Sequence, residues 1–503
     1  MIIETLARHT HLVRNLTLSL LVFTILNVHA QDEEANSAEE LSDKNASFVQ
    51  ERMDSFKFDD KFKAVTLNDA LEQGLRENFG QQIRNFENTQ LELNWMDTDT
   101  EFWYPTISLT LSSSTQRIGT IRDGDTEPVQ SSDLPAGTVS LNIEDYTVFN
   151  WGKDYLAYLN AKETYQRSKQ QLDEKKRDLR HEIVKAYFET IFYHQVENIK
   201  RVQLRHASFL YSMNREKVTL KKVTKREYYQ ARSEYLRSQN EFYEARLNSS
   251  KSDEALAKLL KDPAGTRYIF REKLNYLPIK TTLEEATRIS IKTNSSVRDA
   301  VVDLHKANRS LDIVNRENLP LPKFTMNLGA YTHSFGRQTW ATRYGTGATA
   351  GANDTDIELV ATVNATWTIS GAGGIFNSRK TKLSSIDKLI SQKKLDYAKF
   401  NAQSDVRSYY HGLEQLQNEM KVLGARTVSL QKMFDTALED YLNKRGDFQD
   451  FRQSLIEMTE ADVLYEYTKY RHLEEKVNLA NTMGLEDFPG ENFEDLAVKE
   501  KGK

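Results

Sequence analysis

Between Asp405 and Tyr441 apolar residues fall on two interleaved seven-residue repeats, and no proline interrupts them. Val406, Leu413, Met420, Phe434 and Tyr441 hold one position, with Thr427 its single polar member. Tyr409, Leu416, Leu423, Leu430 and Ala437 hold the other, three residues on. This is the a/d seam of a coiled coil kept for about five heptads, and a seam of that kind requires a partner helix. Extended back to Gly374, the helix is on the order of 100 Å long at ~1.5 Å per residue, several times the usual length in a globular domain. Taken alone, the stretch describes a long coiled-coil scaffold or tether.

The remainder of the chain narrows that reading. Across 503 residues, 8 prolines and 21 glycines are few for the loops of ordinary domains, so long regular elements follow. A net charge of −5 with 28% charged residues describes a solvated surface without a nucleic-acid footprint. The absence of cysteine excludes thiol catalysis, cysteine metal sites and acylation at a cysteine. Arg8 and Arg14 precede an apolar run from Leu16 to Leu26, and Val28-His29-Ala30 ends in a small residue, which reads as a signal peptide over 1–30. The run falls well short of the ~20 residues that span a bilayer, and nothing after Ala30 reaches that length. A mature chain that crosses a membrane must then do so with strands. Residues 31–61, rich in Asp32, Glu33, Glu34, Glu39, Glu40 and Asp43, read as an acidic, disordered leader.

Beyond the leader the sequence is written twice. Thr66, Leu67, Ala70 and Asn78 recur as Thr282, Leu283, Ala286 and Asn294, each 216 positions later, which marks an internal duplication. The first repeat, 62–277, is expected to hold a helix to about Phe102, two strands near 105–117 and 137–149, a long helix near 153–218 and a return helix near 225–261. The second, 278–487, is expected to hold a helix, strands near 322–333 and 356–370, a long helix near 374–441 and a return helix near 447–483, before a charged tail over 488–503. The strand assignments rest on alternation: Ile107, Leu109 and Leu111 against Ser108, Thr110 and Ser112, and Phe324, Met326, Leu328 and Ala330 on one face of the third strand. Ile357, Leu359, Ala361, Val363, Ala365, Trp367 and Ile369 alternate in the fourth, and Asp145 interrupts the second, which therefore ends or bulges there.

Segments of about ten residues with one apolar face have the length of tilted transmembrane strands. Four strands cannot close a barrel, and lipid does not tolerate unpaired edges, so the chain must oligomerise. Two copies fill their interior with side chains, whereas three make twelve strands around a polar lumen. Ser108, Thr110, Asn142, Glu144, Glu358 and Thr362 would line it, and Trp103, Tyr331, Trp340 and Trp367 would mark the interfaces.

Thr-Leu-x-x-Ala opening each half, Tyr104-Pro105 and Leu319-Pro320, Phe149-Asn150-Trp151-Gly152 and Tyr441-x-x-x-x-Gly446 together resemble the TolC family of outer-membrane efflux proteins from Thr66 to Leu485. The resemblance implies an α+β membrane protein: a homotrimer whose twelve-stranded β-barrel in outer-membrane lipid continues into a periplasmic α-helical coiled-coil barrel. It further implies a passive exit duct of a tripartite efflux or type I secretion system. A periplasmic adaptor and an inner-membrane pump or ABC exporter open and energise it. The scaffold without a pore stands as the alternative. The family's adaptor contact maps to the turns near Val218, Lys222, Val223, Thr224, Gly446 and Asp447. Val223 stands where the second turn has Gly446, and since glycine suits a left-handed turn residue and valine does not, the first turn is expected to differ in shape. Where relatives carry aspartates in an aperture ring this chain has Arg452 and Leu455. Tyr229 is the first-repeat counterpart of Arg452, Asp450 is a nearby acid, and Lys217, Lys221, Lys222, Lys225 and Arg226 are close by. The basic first turn reads first as a solvated turn; the sharper alternative is a less cation-selective entrance, with Asp447 and Asp450 the nearby acids.

Other signals are dismissed. Gly371-Ala372-Gly373-Gly374 lacks the Gly-Lys-Ser/Thr of a phosphate loop and reads as a strand-to-helix turn. His181-Glu182 opens a zinc-protease pattern without its second histidine and reads as surface. Gly412 and Gly424 lie inside the long helix, marking either close helix approach or tolerance. No catalytic constellation, cofactor site or metal site emerges.

Overall fold

A computed structural model of the chain describes residues 61–113, 120–122, 125–127, 137–335, 357–369, 377–443 and 445–499. The expected signal peptide, the leader up to residue 60, Trp340, the Gly371–Gly374 turn and residues 500–503 lie outside the described residues, as do the side chains of Glu144, Tyr331 and Glu358. Two units are distinguished. Of the smaller, Met1–Phe62 with Gly265–Arg267, the described residues are strand ends and Gly265, whose φ is 80°. The larger spans Lys63–Ala264 and Tyr268–Lys503.

The chain runs β1 (Lys61–Val65), α1 (Leu67–Glu77), α2 (Phe79–Trp103), β2 (Ile107–Ser113), β3 (Thr120–Arg122), β4 (Asp125–Glu127) and β5 (Gly137–Phe149). Next come α3 (Lys153–Thr219), α4 (Lys225–Leu260), β6 (Thr266–Phe270) and β7 (Glu272–Leu274). Then α5 (Leu283–Thr293), α6 (Ser295–Glu317), β8 (Lys323–Phe335), β9 (Ile357–Thr366), α7 (Ser378–Leu442), α8 (Phe448–Met483) and β10 (Ala497–Lys499) complete it. The long helices have 67 and 65 residues and the return helices 36 each. Among the described residues no helix is long and apolar enough to cross a membrane.

Each expected first helix is in fact two. Asn78 ends α1 and begins α2, its side-chain oxygen accepting from the backbone N–H groups of Gly80 at 2.8 Å and Gln81 at 3.4 Å. Asn294 does the same for Ser296 and Val297 at 3.0 and 3.3 Å. A side chain that satisfies the orphan amides of a new helix lets the chain bend without losing hydrogen bonds.

The main core forms where α1, α3, α4, α5 and α8 meet, around Leu67, Ile183, Tyr187, Phe188, Leu256, Leu260, Val477 and Met483. Residues 488–499 are not a free tail. Gly484, with φ 71°, turns the chain back along α8, Phe488, Phe493 and Leu496 enter the core, and β10 pairs with β7. Three apolar residues among many charges were too sparse a pattern to announce that segment. Charged groups are buried in the same belt beside partners: Arg167 holds Glu174 through two contacts of 2.8 Å, and Lys476 is bound to Glu491 and to the Leu277 carbonyl. His181 also lies here, donating from Nε2 to the Glu486 carbonyl at 2.9 Å. It is buried, not at the surface, because the returning C-terminal segment covers that face of α3. Of the two helix glycines, a Cβ on Gly412 would meet nothing within 4 Å and one on Gly424 only Tyr465 at 3.6 Å, so neither marks a close approach within the chain.

Candidate functional site

Two regions are candidates: the sheet at one end of the long helices and the turns at the other. The sheet is four-stranded and antiparallel in the order β2-β5-β8-β9. Its register aligns like with like, Ile107 beside Ile143, Leu328 and Ala361, and Leu109 beside Leu141, Ala330 and Leu359. The alternate rows begin with Ser108 beside Asn142 and Thr110 beside Ser140. Polar neighbours are stitched together, Ser108 Oγ donating to the Asn142 carbonyl at 3.3 Å and Asn142 Nδ2 to Ser140 Oγ at 3.0 Å. The apolar face is bare: Val363 is 68% and Leu109 63% exposed.

Asp145 makes a bulge. With φ 50° it drops out of the ladder between the Ile143–Leu328 and Tyr146–Met326 pairs, and the Asn327 side chain accepts from its N–H. One extra residue returns Tyr146 to the apolar side, so the oily face is restored beyond the interruption. Where strands become helices, exposed aromatics collect: Trp103, Tyr104, Phe149, Trp151 and Trp367. The Phe149–Gly152 motif makes this corner. Trp151 and Gly152 both have left-handed backbones, Trp151 Nε1 donates to the Pro322 carbonyl at 2.9 Å, and Arg316 donates to the Trp151 carbonyl at 2.7 Å.

At the far end the described flanks of the two turns match. The residues that follow the long helices, Leu220 and Asn443, have φ/ψ of −82°/5° and −81°/5°, and Thr224 and Asp447 both cap the return helices in extended conformation. Lys222 N–H donates to the Lys217 carbonyl as Arg445 N–H does to that of Asp440, each at 2.8 Å. The turns match at these flanks and differ at the glycine position, where Gly446 N–H also donates to the Asp440 carbonyl at 3.1 Å. The left-handed residue of the first turn is Lys221, with φ 56°, rather than Val223, and Gly446 does not have a positive φ. What constrains Gly446 is space, since a Cβ there would sit 3.2 Å from that of Asp440.

The turns are joined by side chains. Tyr441 is buried beside Phe448 and Phe451, donates its hydroxyl to Asn214 Oδ1 at 3.1 Å, and has Lys217 Nζ 4.9 Å above its ring. Val218 and Val223 are half-buried, while Lys222, Thr224 and Asp447 are exposed. Of the expected aperture residues, Leu455 is corrected: at 0% exposure it belongs to the tip core with Leu210, Phe434 and Phe451 and faces helices, not an opening. Tyr229 and Asp450 are exposed. Arg452 is turned toward Glu234, 4.0 Å away on α4. Glu234 was not singled out from sequence; burial raises its carboxyl pKa, against the pull of Arg237 and Arg452. Its signal was only a charged residue on an amphipathic face, which many solvated glutamates share. Among the described residues no cluster of metal-ligating side chains occurs.

Residues 99–260 match the family model of the outer membrane efflux proteins. No curated protein matches the sequence. Among solved structures the chain is similar to the Campylobacter jejuni CmeC outer membrane channel, with a TM-score of 0.64 and 16% identity over 85% of this chain and 88% of that one. It is similar to the Vibrio cholerae outer membrane protein VceC, with 0.64 and 12% over 83% and 96%. The open state of the Neisseria gonorrhoeae MtrE outer membrane channel gives 0.63 and 15% over 83% and 89%. At these identities the likeness is one of fold. The resemblance read from the residues is borne out: residues 99–260 carry the signature of the outer membrane efflux protein family, and the chain has the fold of its channels.

Proposed function

We propose that three copies of this chain form an outer-membrane exit duct: a twelve-stranded barrel in the lipid, continuous with a tunnel of long helices in the periplasm. The observation that carries the reading is the sheet with a bare apolar face, whose edge strands among the described residues are β2 and β9. An edge left open in hydrocarbon costs several kcal/mol for each unmet backbone group, and joining β2 of one copy to β9 of the next removes both edges. Twelve strands leave a lumen, lined by the row of Ser108, Thr110, Asn142 and Thr362 with Glu144 and Glu358. The exposed aromatics at the strand–helix corner suit a lipid–water boundary. Bare stripes on α2 (Phe79, Ile83, Phe86, Leu93) and on α7 (Leu383, Ile386, Ile390, Tyr397, Phe400) suit helix packing between copies. The duct is passive. A periplasmic adaptor engages the turns near Val218–Thr224 and Gly446–Asp447 and opens them, and an inner-membrane pump or exporter supplies the energy and the cargo.

Spin labels placed separately at Val363 and Thr362 in detergent-extracted, reconstituted protein test this. A lipid-exposed label at Val363, a water-exposed one at Thr362 and a heat-modifiable oligomer are expected. A soluble monomer with both labels in water would leave only the scaffold.

A further inference from the structure

Glu234 and Glu241 lie two turns apart on α4 and are partnered very differently. Burial pushes the Glu241 carboxyl up, but hydrogen bonds from Lys200 of α3 and from Arg237, each at 2.8 Å, outweigh that and hold its pKa below the ordinary range. Glu234, with a side chain only 3% exposed, has no such bond. Its Oε2 lies 4.0 Å from Arg237 Nη1 and 4.0 Å from Arg452 Nη1 of α8, beyond hydrogen-bond reach, and its Oε1 has no partner among the described residues. Ser238 is fully buried one turn on along the same face, and its hydroxyl lacks a partner too, as does Arg452 Nε. A carboxylate taken out of water without hydrogen bonds is a costly charge. Burial accordingly raises the Glu234 pKa against the pull of Arg237, Arg452 and Lys200, with Glu241 adding to the rise. Arg237 is already committed to Glu241 and has Glu460 of α8 near it, and Lys200 is committed likewise. Arg452, whose side chain is 34% exposed, has its one ion pair among the described residues with Glu234.

We propose that Glu234 is the positioning residue for Arg452 and that a proton decides whether it acts. Ionised, it draws the Arg452 guanidinium in against α4 and cancels its charge. On taking a proton from solvent at Oε1 the carboxyl becomes neutral, gains a hydroxyl that can donate to Ser238, and leaves Arg452 uncompensated at the tip. Each copy in the trimer thereby gains one positive charge beside the entrance, which loses cation preference in acid. The inference rests on the trimeric duct proposed above and adds a proton-dependent selectivity at its tip.

Reversal potentials of the reconstituted trimer under a potassium chloride gradient read the effect at about pH 7.5 and at about pH 5, the latter still above the range in which exposed aspartates titrate. The cation-over-anion permeability ratio of the unaltered chain is expected to fall about twofold on acidification at low salt. Glu234→Gln is expected to show the acid ratio at both pH values, and Glu234→Asp to restore the shift. Arg452→Gln is expected to raise the ratio in acid. Thermal unfolding gives a readout independent of conduction. The folded chain holds this proton at higher pH than the unfolded one, so the unaltered chain should gain stability relative to Glu234→Gln as pH falls. The opposite slope, an acid shift that persists in Glu234→Gln, or an Arg452→Gln channel as poor in cation preference in acid as the unaltered one overturns the assignment and leaves the duct standing. Absence of conductance from reconstituted protein that keeps its helical circular dichroism overturns the duct and, with it, the role given to Arg452.

Discussion

The sheet and the core belt obey opposite rules of burial within one chain. The sheet leaves Val363, Leu109, Ile107 and Trp367 exposed, whereas the belt buries Arg167, Glu174, Lys476 and His472. A water-soluble domain arranges these the other way round. The belt can hold charges because every partner is on the same chain, as with Lys476 and Glu491. In the proposed duct the sheet's complement, lipid on one face and strands at both edges, would lie outside it. One region is complete at synthesis and the other is completed by surroundings, so changes to each should be read by different instruments.

The largest effect is expected in the belt. Glu491→Ala leaves the buried Lys476 ammonium without its ion pair, at a cost of about 3–5 kcal/mol. Replacing both, Lys476→Met with Glu491→Leu, is expected to recover most of that, because the desolvation cost of the charge disappears with it. Denaturant unfolding followed by far-UV circular dichroism measures both, and equal losses in the single and double variants would show that the pair does not act as a unit.

Next in size is a charge on the sheet's bare face. Val363→Arg should cost ~2–4 kcal/mol if the position lies near the bilayer midplane, while Thr362→Arg, one residue away on the polar face, should be tolerated. Yield of heat-resistant oligomer in the outer-membrane fraction reads the difference. Equal yields for the two variants would remove the distinction between faces on which the duct depends.

Acid should loosen the belt before it touches the sheet. Burial depresses the pKa of His181 and of His472 to about 4. The unfolded chain takes up these protons near pH 6.5, the folded one only near 4, so the unfolded state holds more protons in between and stability falls as pH drops through that window. The slope is about 1.4 kcal/mol per pH unit for each histidine. Glu174 behaves differently. Burial pushes its pKa up, but hydrogen bonds from Arg167 and Ser295 outweigh that and hold it below the ordinary range, so its contribution is lost only at lower pH. His472→Gln is expected to flatten the decline between pH 6.5 and 4 by about half, as measured by thermal unfolding across pH.

Much of this division was legible in the residues, for physical reasons. Val406, Leu413, Met420, Phe434 and Tyr441, spaced by sevens, are all buried, because a helix that long shows its packing as a period. Alternation marked the four strands because each has two different faces. The helix breaks were missed although Asn78 and Asn294 stood at matching places in the duplication, since an asparagine inside a helical pattern signals a cap only once the bend is seen. The C-terminal clasp and β7 were missed because three-residue strands have no measurable period. At the tip the side-chain directions were not readable. Leu455 looked like a replacement for an aperture acid and is a core leucine, because the apolar face of a return helix does not say which of its residues the neighbouring helix covers.

The smallest expected effect concerns the charge of the entrance. Asp450 is exposed beside the second turn, Arg452 is turned toward Glu234, and Lys221, Lys222, Lys225 and Arg226 are exposed around the first turn. In the proposed trimer threefold repetition would multiply each of these charges and make the local potential at the tip less negative than an acidic ring would. Screening limits the consequence, because exposed charges act only over about 8 Å at physiological salt. Lys221→Glu with Lys222→Glu is therefore expected to move the reversal potential in a planar bilayer toward cation preference by a few millivolts at low salt, and by less as salt rises. A strongly cation-selective wild-type channel, unmoved by the substitution, would place the selectivity in the barrel's acids and not at the turns.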